Sequence, residues 1–321
     1  MQINSSTLSS RPLEAIVRPT TVVEAPRLAN HLSTDVFLAS ETFQYTGSFK
    51  FRAAYHVAAS VSQKLLITAS SGNFGQALAY ACSLLNKSCI IVMPTTSATV
   101  KVDAVREFGG EVEFVDVRIK SRAERVSELA KMHPDAYIAS AYDDPLVIQG
   151  NSSLGREISV LRHKPDVVVS PVGGGGLISG IIVGLQQSQS DVSVVGAEPL
   201  VGNDAARSLR VGAIVQNECE PPTIADGART LSLGRHNWEI IRKSLRDVVE
   251  VPEENIAEAV RLLFTLANLK VEPTGALSLA AVMTRPELFR GRSVCCVVSG
   301  GNVDSGVFLN IINSNREMKY I

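Results

Sequence analysis

No two cysteines of this 321-residue chain stand in the C-x-x-C spacing that a structural metal site or a redox dithiol requires. The five present, Cys82, Cys89, Cys219, Cys295 and Cys296, follow no paired pattern, and the adjacent two lie inside the apolar run 293–298. They read as free thiols of a reducing compartment. An excess of charge is also missing: 31 Lys and Arg against 32 Asp and Glu leave a formal net charge of −1, with no basic patch for a nucleic acid. No apolar run reaches the length of a membrane span, and the first ten residues are polar, without the hydrophobic segment of a secretory signal. These absences lead to the expectation of a cytoplasmic protein with neither a membrane nor a nucleic-acid partner. His31, His56, His133, His163 and His236 show no ligand spacing. Aromatic residues make up only 5% of the chain against 45% hydrophobic residues. The interior is therefore built from Val, Leu, Ile and Ala, as in α/β proteins whose parallel strands are covered on both faces.

From Lys64 onward, short β-branched runs alternate with longer amphipathic ones. The apolar runs 65–69, 89–93 and 111–115 are each followed by a helical pattern, at 74–85, 99–108 and 121–132. The rhythm resumes with strands at 167–170, 192–195, 248–251 and 294–298 and helices at 177–187, 204–209, 254–267 and 275–283. Such alternation predicts βαβ units and a doubly wound parallel sheet. Pro134 and Pro145 bracket a break in it, so the chain divides into a small domain, 65–142, inserted in a larger one formed by 1–64 and 143–321. Ligands of such sheets lie at the carboxyl ends of strands, often in the cleft between domains.

Four loops at such ends have unusual residue choices. Gly173, Gly174, Gly175 and Gly176 follow an apolar strand and open a helix at Leu177. A turn without Cβ atoms at a helix N-terminus aims several N–H groups at one point, where the dipole favours negative charge, so this loop is a phosphate cradle. G-x-G-x-x-G is absent, which excludes a dinucleotide-binding Rossmann protein. Lys50, between Phe49 and Phe51, starts a helix after Thr46, Gly47 and Ser48, which serve as N-capping neighbours. A lysine at a helix's positive end has its pKa pushed down, which suits an amine nucleophile toward an aldehyde. A solvated surface lysine is the alternative. Ser70, Ser71 and Asn73 follow the strand 65–69 and offer hydroxyls and an amide to a carboxylate, or act as simple N-caps. Ser299-Gly-Gly-Asn302 closes the last strand. Glu198 and Asp204, with the Gly202 carbonyl between them, are oxygen ligands at a spacing that suits Mg²⁺ or Ca²⁺, or else a solvated acidic turn.

These four loops, in this order, resemble the serine/threonine dehydratase and serine racemase branch of the fold-type II pyridoxal-phosphate (PLP) enzymes. The resemblance runs over nearly the whole chain and includes Thr223-Ile-Ala-Asp-Gly227, Asp143-Asp-Pro145 and Val271-Glu-Pro-Thr274. It implies a tryptophan-synthase-β-like fold of two doubly wound domains, with the site in the cleft between a large PLP-binding domain and a small mobile one. Lys50 would bind the cofactor aldehyde and move the substrate's α-proton, with Phe49 beside it. Asn73 would meet the ring's phenolic oxygen, Gly173 to Gly176 and the Leu177 N–H the phosphate, and Ser299 the ring nitrogen. Ser70, Ser71, Asn73 and Arg122 would hold the substrate carboxylate, and Ser71 would be the acid/base on the far face that permits racemisation. Glu198, Gly202 and Asp204 would hold a divalent cation. The resemblance also suggests a homodimer, and the chain's end soon after the last strand leads to the expectation of no carboxy-terminal regulatory domain.

The match departs on the substrate side. Phe74 stands where the branch's commonest loop has His, and Ser140-Ala141 where it has His-Pro. The expected activity is an ammonia-lyase acting on threonine, serine or 3-hydroxyaspartate. A serine racemase and a PLP-binding regulator without turnover are the alternatives.

Overall fold

A computed structural model describes residues 12–70, 72–97 and 99–314. Ten strands form two sheets: β1 (Thr21–Glu24), β2 (Asp35–Ser40), β3 (Leu65–Ala69), β4 (Ser88–Pro94), β5 (Glu111–Val115), β6 (Tyr137–Ile138), β7 (Val167–Pro171), β8 (Ser193–Pro199), β9 (Val248–Val251) and β10 (Ser293–Val298). The larger sheet runs β1-β2-β10-β7-β8-β9 and the smaller β5-β4-β3-β6. Every pairing is parallel except β1 with β2.

The larger sheet alternates as a doubly covered sheet must. Val36, Leu38, Cys296 and Val298 pack on one face against α1 (Pro26–Leu32), α10 (Glu253–Ala267) and α11 (Pro273–Thr284), while Phe37, Ala39, Cys295 and Val297 pack on the other against α6 (Pro145–Ser159) and α7 (Gly176–Gln187). Cys295 and Cys296 thus fall on opposite faces, and burial pushes the Cys295 thiol up to about 12. Cys82 and Cys89 are buried free thiols as well, and Cys219 is an exposed one.

α2 (Lys50–Ser60) shares a core with the small sheet, where Phe51, Ala54 and Tyr55 pack with Leu66, Phe74 and Leu78 of β3 and α3 (Asn73–Leu84). Beside these lie α4 (Thr99–Glu107), α5 (Arg122–Met132), α8 (Asp204–Val211), α9 (Arg235–Ser244) and α12 (Ser305–Asn313). The Asp143-Asp-Pro stretch caps two helices at once. Asp144 accepts from the Leu146 N–H at the start of α6 (2.7 Å), and Asp143 accepts from the N–H groups of Arg235 and His236 at the start of α9. Among the described residues no helix is long and apolar enough to cross a membrane.

Candidate active site

Both sheets have a switch point, where successive strands leave in opposite directions, and the loops there are the ones singled out above. β7 has β10 on one side and β8 on the other, which sets the tetraglycine after β7 next to the SGGN loop after β10. In the small sheet β3 lies between β4 and β6, and the Ser70–Asn73 loop follows it.

The tetraglycine leaves its backbone donors open. None of the five backbone N–H groups from Gly173 to Leu177 donates to another described group of the chain. The carbonyls, by contrast, are taken: Asn237 Nδ2 donates to Gly174 (2.7 Å) and Asn151 Nδ2 to Gly176 (3.0 Å). A Cβ on Gly174 would fall inside the Tyr142 ring, and Gly175 adopts a left-handed φ of +92° as the N-cap of α7. Five unpaired donors at a helix N-terminus fit a phosphate. At the end of β10, Ser299 is buried and its Oγ has no partner, as expected of a hydroxyl placed for a ring nitrogen. The residues present therefore fit PLP.

Lys50 is the first residue of α2. The chain reaches it through Thr46 and Gly47, both at positive φ (61° and 73°), and the loop is laced to the SGGN loop by a Ser48–Gly300 bridge and by the Gly301 N–H on the Gly47 carbonyl. Thr46, Gly47 and Ser48 do not cap the helix. The N-cap is Phe49, without a side-chain bond, and the hydroxyls of Thr46 and Ser48 are buried without partners. Lys50 Nζ donates to the Ala141 carbonyl (2.8 Å) and lies 5.0 Å from the Phe49 ring centre and 5.8 Å from that of Phe74. Enclosure by protein lowers its pKa to about 8, and the charge of Glu272 opposes the shift. Desolvation is thus the main cause. Two residues on, Arg52 anchors the helix from a fully buried position, pairing with Glu41 through Nε (2.7 Å) and Nη2 (2.9 Å) and with Glu157 through Nη1 (2.6 Å).

Asn73 sits in a chain of amides. Asn302 Nδ2 donates to the Thr46 carbonyl (2.7 Å) and to Asn73 Oδ1 (2.8 Å), while Asn73 Nδ2 donates to Glu272 Oε1 (2.8 Å) and Oε2 (3.1 Å). Burial pushes Glu272 up to about 8, helped by Asp226 and opposed by Asn73, Lys101 and Lys50. Tyr142 and Asn237 were not singled out from the sequence, and Glu272 and Asn302 stand there only within the Val271–Thr274 and Ser299–Asn302 stretches, with no role of their own. Tyr142 and Asn302 follow strands β6 and β10, whereas Asn237 lies in α9 and Glu272 precedes α11, so the sequence holds no signal common to the four.

Ser70 Oγ accepts from the Gly75 N–H (3.0 Å) and the Gly72 N–H (3.4 Å), holding the start of α3. Ser71 lies outside the described residues. Arg122 pairs with Glu220 (2.7 Å) on the partly exposed rim instead of with any of the four loops, although its charge reaches Tyr142. Glu198, at the end of β8, accepts from the N–H groups of Ala205 (3.1 Å) and Ala206 (2.7 Å). Asp204 Oδ1 accepts from Asn217 Nδ2 (3.0 Å), and its buried Oδ2 has no partner. Burial raises Glu198 to about 8 and Asp204 to about 6. Among the described residues no three His, Cys, Asp or Glu side chains cluster as a metal site.

With these loops gathered at two switch points, the architecture is that of an α/β enzyme that holds a phosphorylated cofactor between two sheets. Residues 13–300 match the family of pyridoxal-phosphate dependent enzymes, and the chain belongs to it. It is 36% identical over 304 residues to an L-threo-3-hydroxyaspartate ammonia-lyase of Pseudomonas sp, covering 94% of this chain and 95% of that protein. The crystal structure of a threonine deaminase from T.th. superposes with a TM-score of 0.87 at 36% identity, covering 95% of this chain and 99% of the other. The maize serine racemase structure gives a TM-score of 0.88 at 28% identity, with 96% of each chain covered. The fold is therefore fold-type II, as the sequence implied.

Proposed function

We propose that the chain is a PLP-dependent ammonia-lyase that removes the elements of water from a β-hydroxy amino acid, leaving an α-keto acid and ammonia after hydrolysis, with L-threo-3-hydroxyaspartate, threonine and serine as the substrates to test. The observation that carries this reading is the pairing of a desolvated Lys50 amine with a cradle of five unpaired N–H groups. PLP bound there supplies an electron sink for the substrate α-carbon. Gly173 to Gly176 and Leu177 hold its phosphate, Asn73 its ring oxygen and Ser299 its ring nitrogen. A serine hydroxyl cannot keep that nitrogen protonated as an aspartate would. With that nitrogen unprotonated the electron sink would be shallower, which would favour prompt loss of a β-hydroxyl over transamination. Lys50 binds the aldehyde and afterwards takes up the α-proton, which its lowered pKa allows near neutral pH. Phe49 and Phe74 keep water from the amine.

Ser70, Ser71, Asn73 and Arg122 hold the substrate carboxylates in this reading, Arg122 by leaving Glu220. The 65–142 segment is the small mobile domain, and 1–64 with 143–321 the large PLP-binding one. Glu198, Gly202 and Asp204 hold Mg²⁺ or Ca²⁺, supported by the unpaired Oδ2 of Asp204. The protein works as a homodimer in the cytoplasm, the compartment being in keeping with its five free cysteines.

The test is ammonia and keto-acid formation from L-threo-3-hydroxyaspartate, L-threonine and L-serine, with Lys50→Ala as the blank. Turnover of at least one, absent from the blank, is expected, and none from the cofactor-saturated protein contradicts the reading. Serine racemisation is the second reading, favoured by the maize relative and by a serine at position 71. Formation of D-serine from L-serine would establish it.

A further inference from the structure

Two side-chain amides hold the tetraglycine by its carbonyls. Asn237 of α9 donates from Nδ2 to the carbonyls of Gly174 (2.7 Å) and Tyr142 (3.0 Å), and Asn151 of α6 donates from Nδ2 to the Gly176 carbonyl (3.0 Å). A carbonyl only accepts, so in both side chains the atom that faces the loop is the nitrogen. The Gly234 N–H is a second donor to Gly174 (3.0 Å). The Gly175 carbonyl between them is held by α7 itself, through the Ser179 N–H (3.0 Å). Asn151 and Asn237 are both buried, and in both the amide oxygen has no partner among the described residues. An orphaned buried oxygen costs stability, so what each amide contributes comes from its nitrogen. Glycines leave them room: a Cβ on Gly180 would lie 2.3 Å from Cβ of Asn151, and one on Gly175 3.0 Å from Cβ of Asn237.

A trans peptide points its C=O and its N–H in opposite directions. The Gly174 carbonyl shares a peptide with the Gly175 N–H, and the Gly176 carbonyl shares one with the Leu177 N–H. A donor seated on either carbonyl therefore fixes the N–H of the same peptide on the opposite side of the loop. It also polarises the amide, which makes that N–H the stronger donor. We propose that Asn237 and Asn151 are positioning residues for a phosphate, locking two alternate peptides of the tetraglycine so that the N–H groups of Gly175 and Leu177 meet it. The inference rests on the reading of this loop as the cofactor's phosphate site and adds to that site two side chains from α9 and α6. It explains why a buried amide with an unsatisfied oxygen stands at each position, where an apolar side chain of similar shape would carry no such cost.

The test compares the affinities of the cofactor-free protein for PLP and for pyridoxal, which carries the same aldehyde without the phosphate. The ratio of the two reads the phosphate alone, because a change at Lys50 enters both. It is measured for the wild type, Asn151→Leu and Asn237→Ala. Asn151→Leu keeps the bulk of the side chain and removes the donor, and Asn237→Ala carries the test if that variant does not fold. In each folded variant the ratio is expected to fall about tenfold, the effect of weakening one charge-assisted hydrogen bond. Inorganic phosphate should raise the melting temperature of the cofactor-free wild type and raise that of the variants less. An unchanged ratio in either folded variant overturns the proposal. A wild type that binds PLP no more tightly than pyridoxal overturns the reading of the loop as a phosphate site, and the proposal with it, so the two failures are told apart.

Discussion

At the scale of single residues the site is a set of polar groups whose partners are incomplete within the chain. Ser299 Oγ is buried and unpaired, a cost the folded protein carries unless a ligand meets it. Ser299→Ala should therefore have effects of opposite sign. The cofactor-free protein should gain stability, by about 1 kcal/mol from removing one unsatisfied hydroxyl, while cofactor affinity falls. Thermal unfolding and a cofactor titration measure both, and a loss of stability with unchanged affinity would assign the hydroxyl to packing. Lys50 gives a pH prediction. Its pKa lies at about 8 instead of 10.5, so below pH 8 the folded chain holds it charged and above pH 8 as the free amine. The rate at which cofactor-free protein captures PLP should rise roughly tenfold per pH unit up to about 8 and then level off. A rise continuing to pH 10 would mean an unperturbed amine. Lys50 itself was legible in the sequence, because a lysine at a helix start between aromatic residues is an unusual choice. Glu272 was not, since nothing in Val-Glu-Pro-Thr says that its carboxyl turns inward against Asn73.

At the scale of elements, position depends on a few buried contacts. Arg52, two residues after Lys50, is enclosed with Glu41 and tied to Glu157, so it fixes α2 and the lysine with it. Arg52→Ala leaves Glu41 buried without its partner and should cost about 3–5 kcal/mol, against near neutrality for an exposed pair such as Arg242 with Glu239. Urea titration of the two variants checks the contrast, and equal losses would contradict it. Gly174→Ala drives a methyl into the Tyr142 ring and should abolish cofactor binding while leaving the far helices intact, which circular dichroism against PLP absorbance would show. Seven parallel strands, β3, β4, β5, β7, β8, β9 and β10, were legible because each is an apolar run between helices. β1, β2 and β6 were not: β1 is an antiparallel edge strand with alternate residues exposed, β2 precedes the regular alternation, and β6 has only two residues. The helix α6 escaped because Pro145 looked like a break, whereas the structure uses it as the first helical residue behind the Asp144 cap.

At the scale of the whole molecule the two sheets close around the site, and two partly exposed ion pairs, Lys101–Asp226 and Arg122–Glu220, join the 65–142 segment to the rest. Each contributes less than about 1 kcal/mol, weak enough to open and close with a ligand. The Glu198–Asp204 turn follows β8, the neighbour of the tetraglycine strand β7, and runs into α8. If it binds a divalent cation, Mg²⁺ or Ca²⁺ should raise the melting temperature of the wild type and not of Asp204→Asn, and equal shifts in both would remove the cation from this turn. The cleft between sheets was foreseeable from the rhythm of the chain. How the lysine loop is laced to the SGGN loop was not, because those residues lie far apart in the chain and meet only in the fold, as Asn302 on Thr46 does.

Lys50 as the side chain that carries the cofactor is the central assignment. Borohydride reduction of the PLP-saturated protein, followed by proteolysis and mass mapping, should place one pyridoxyl group on the peptide containing Lys50 and none on any other lysine. A reduced protein with no such adduct, or with the adduct on a different residue, would contradict it.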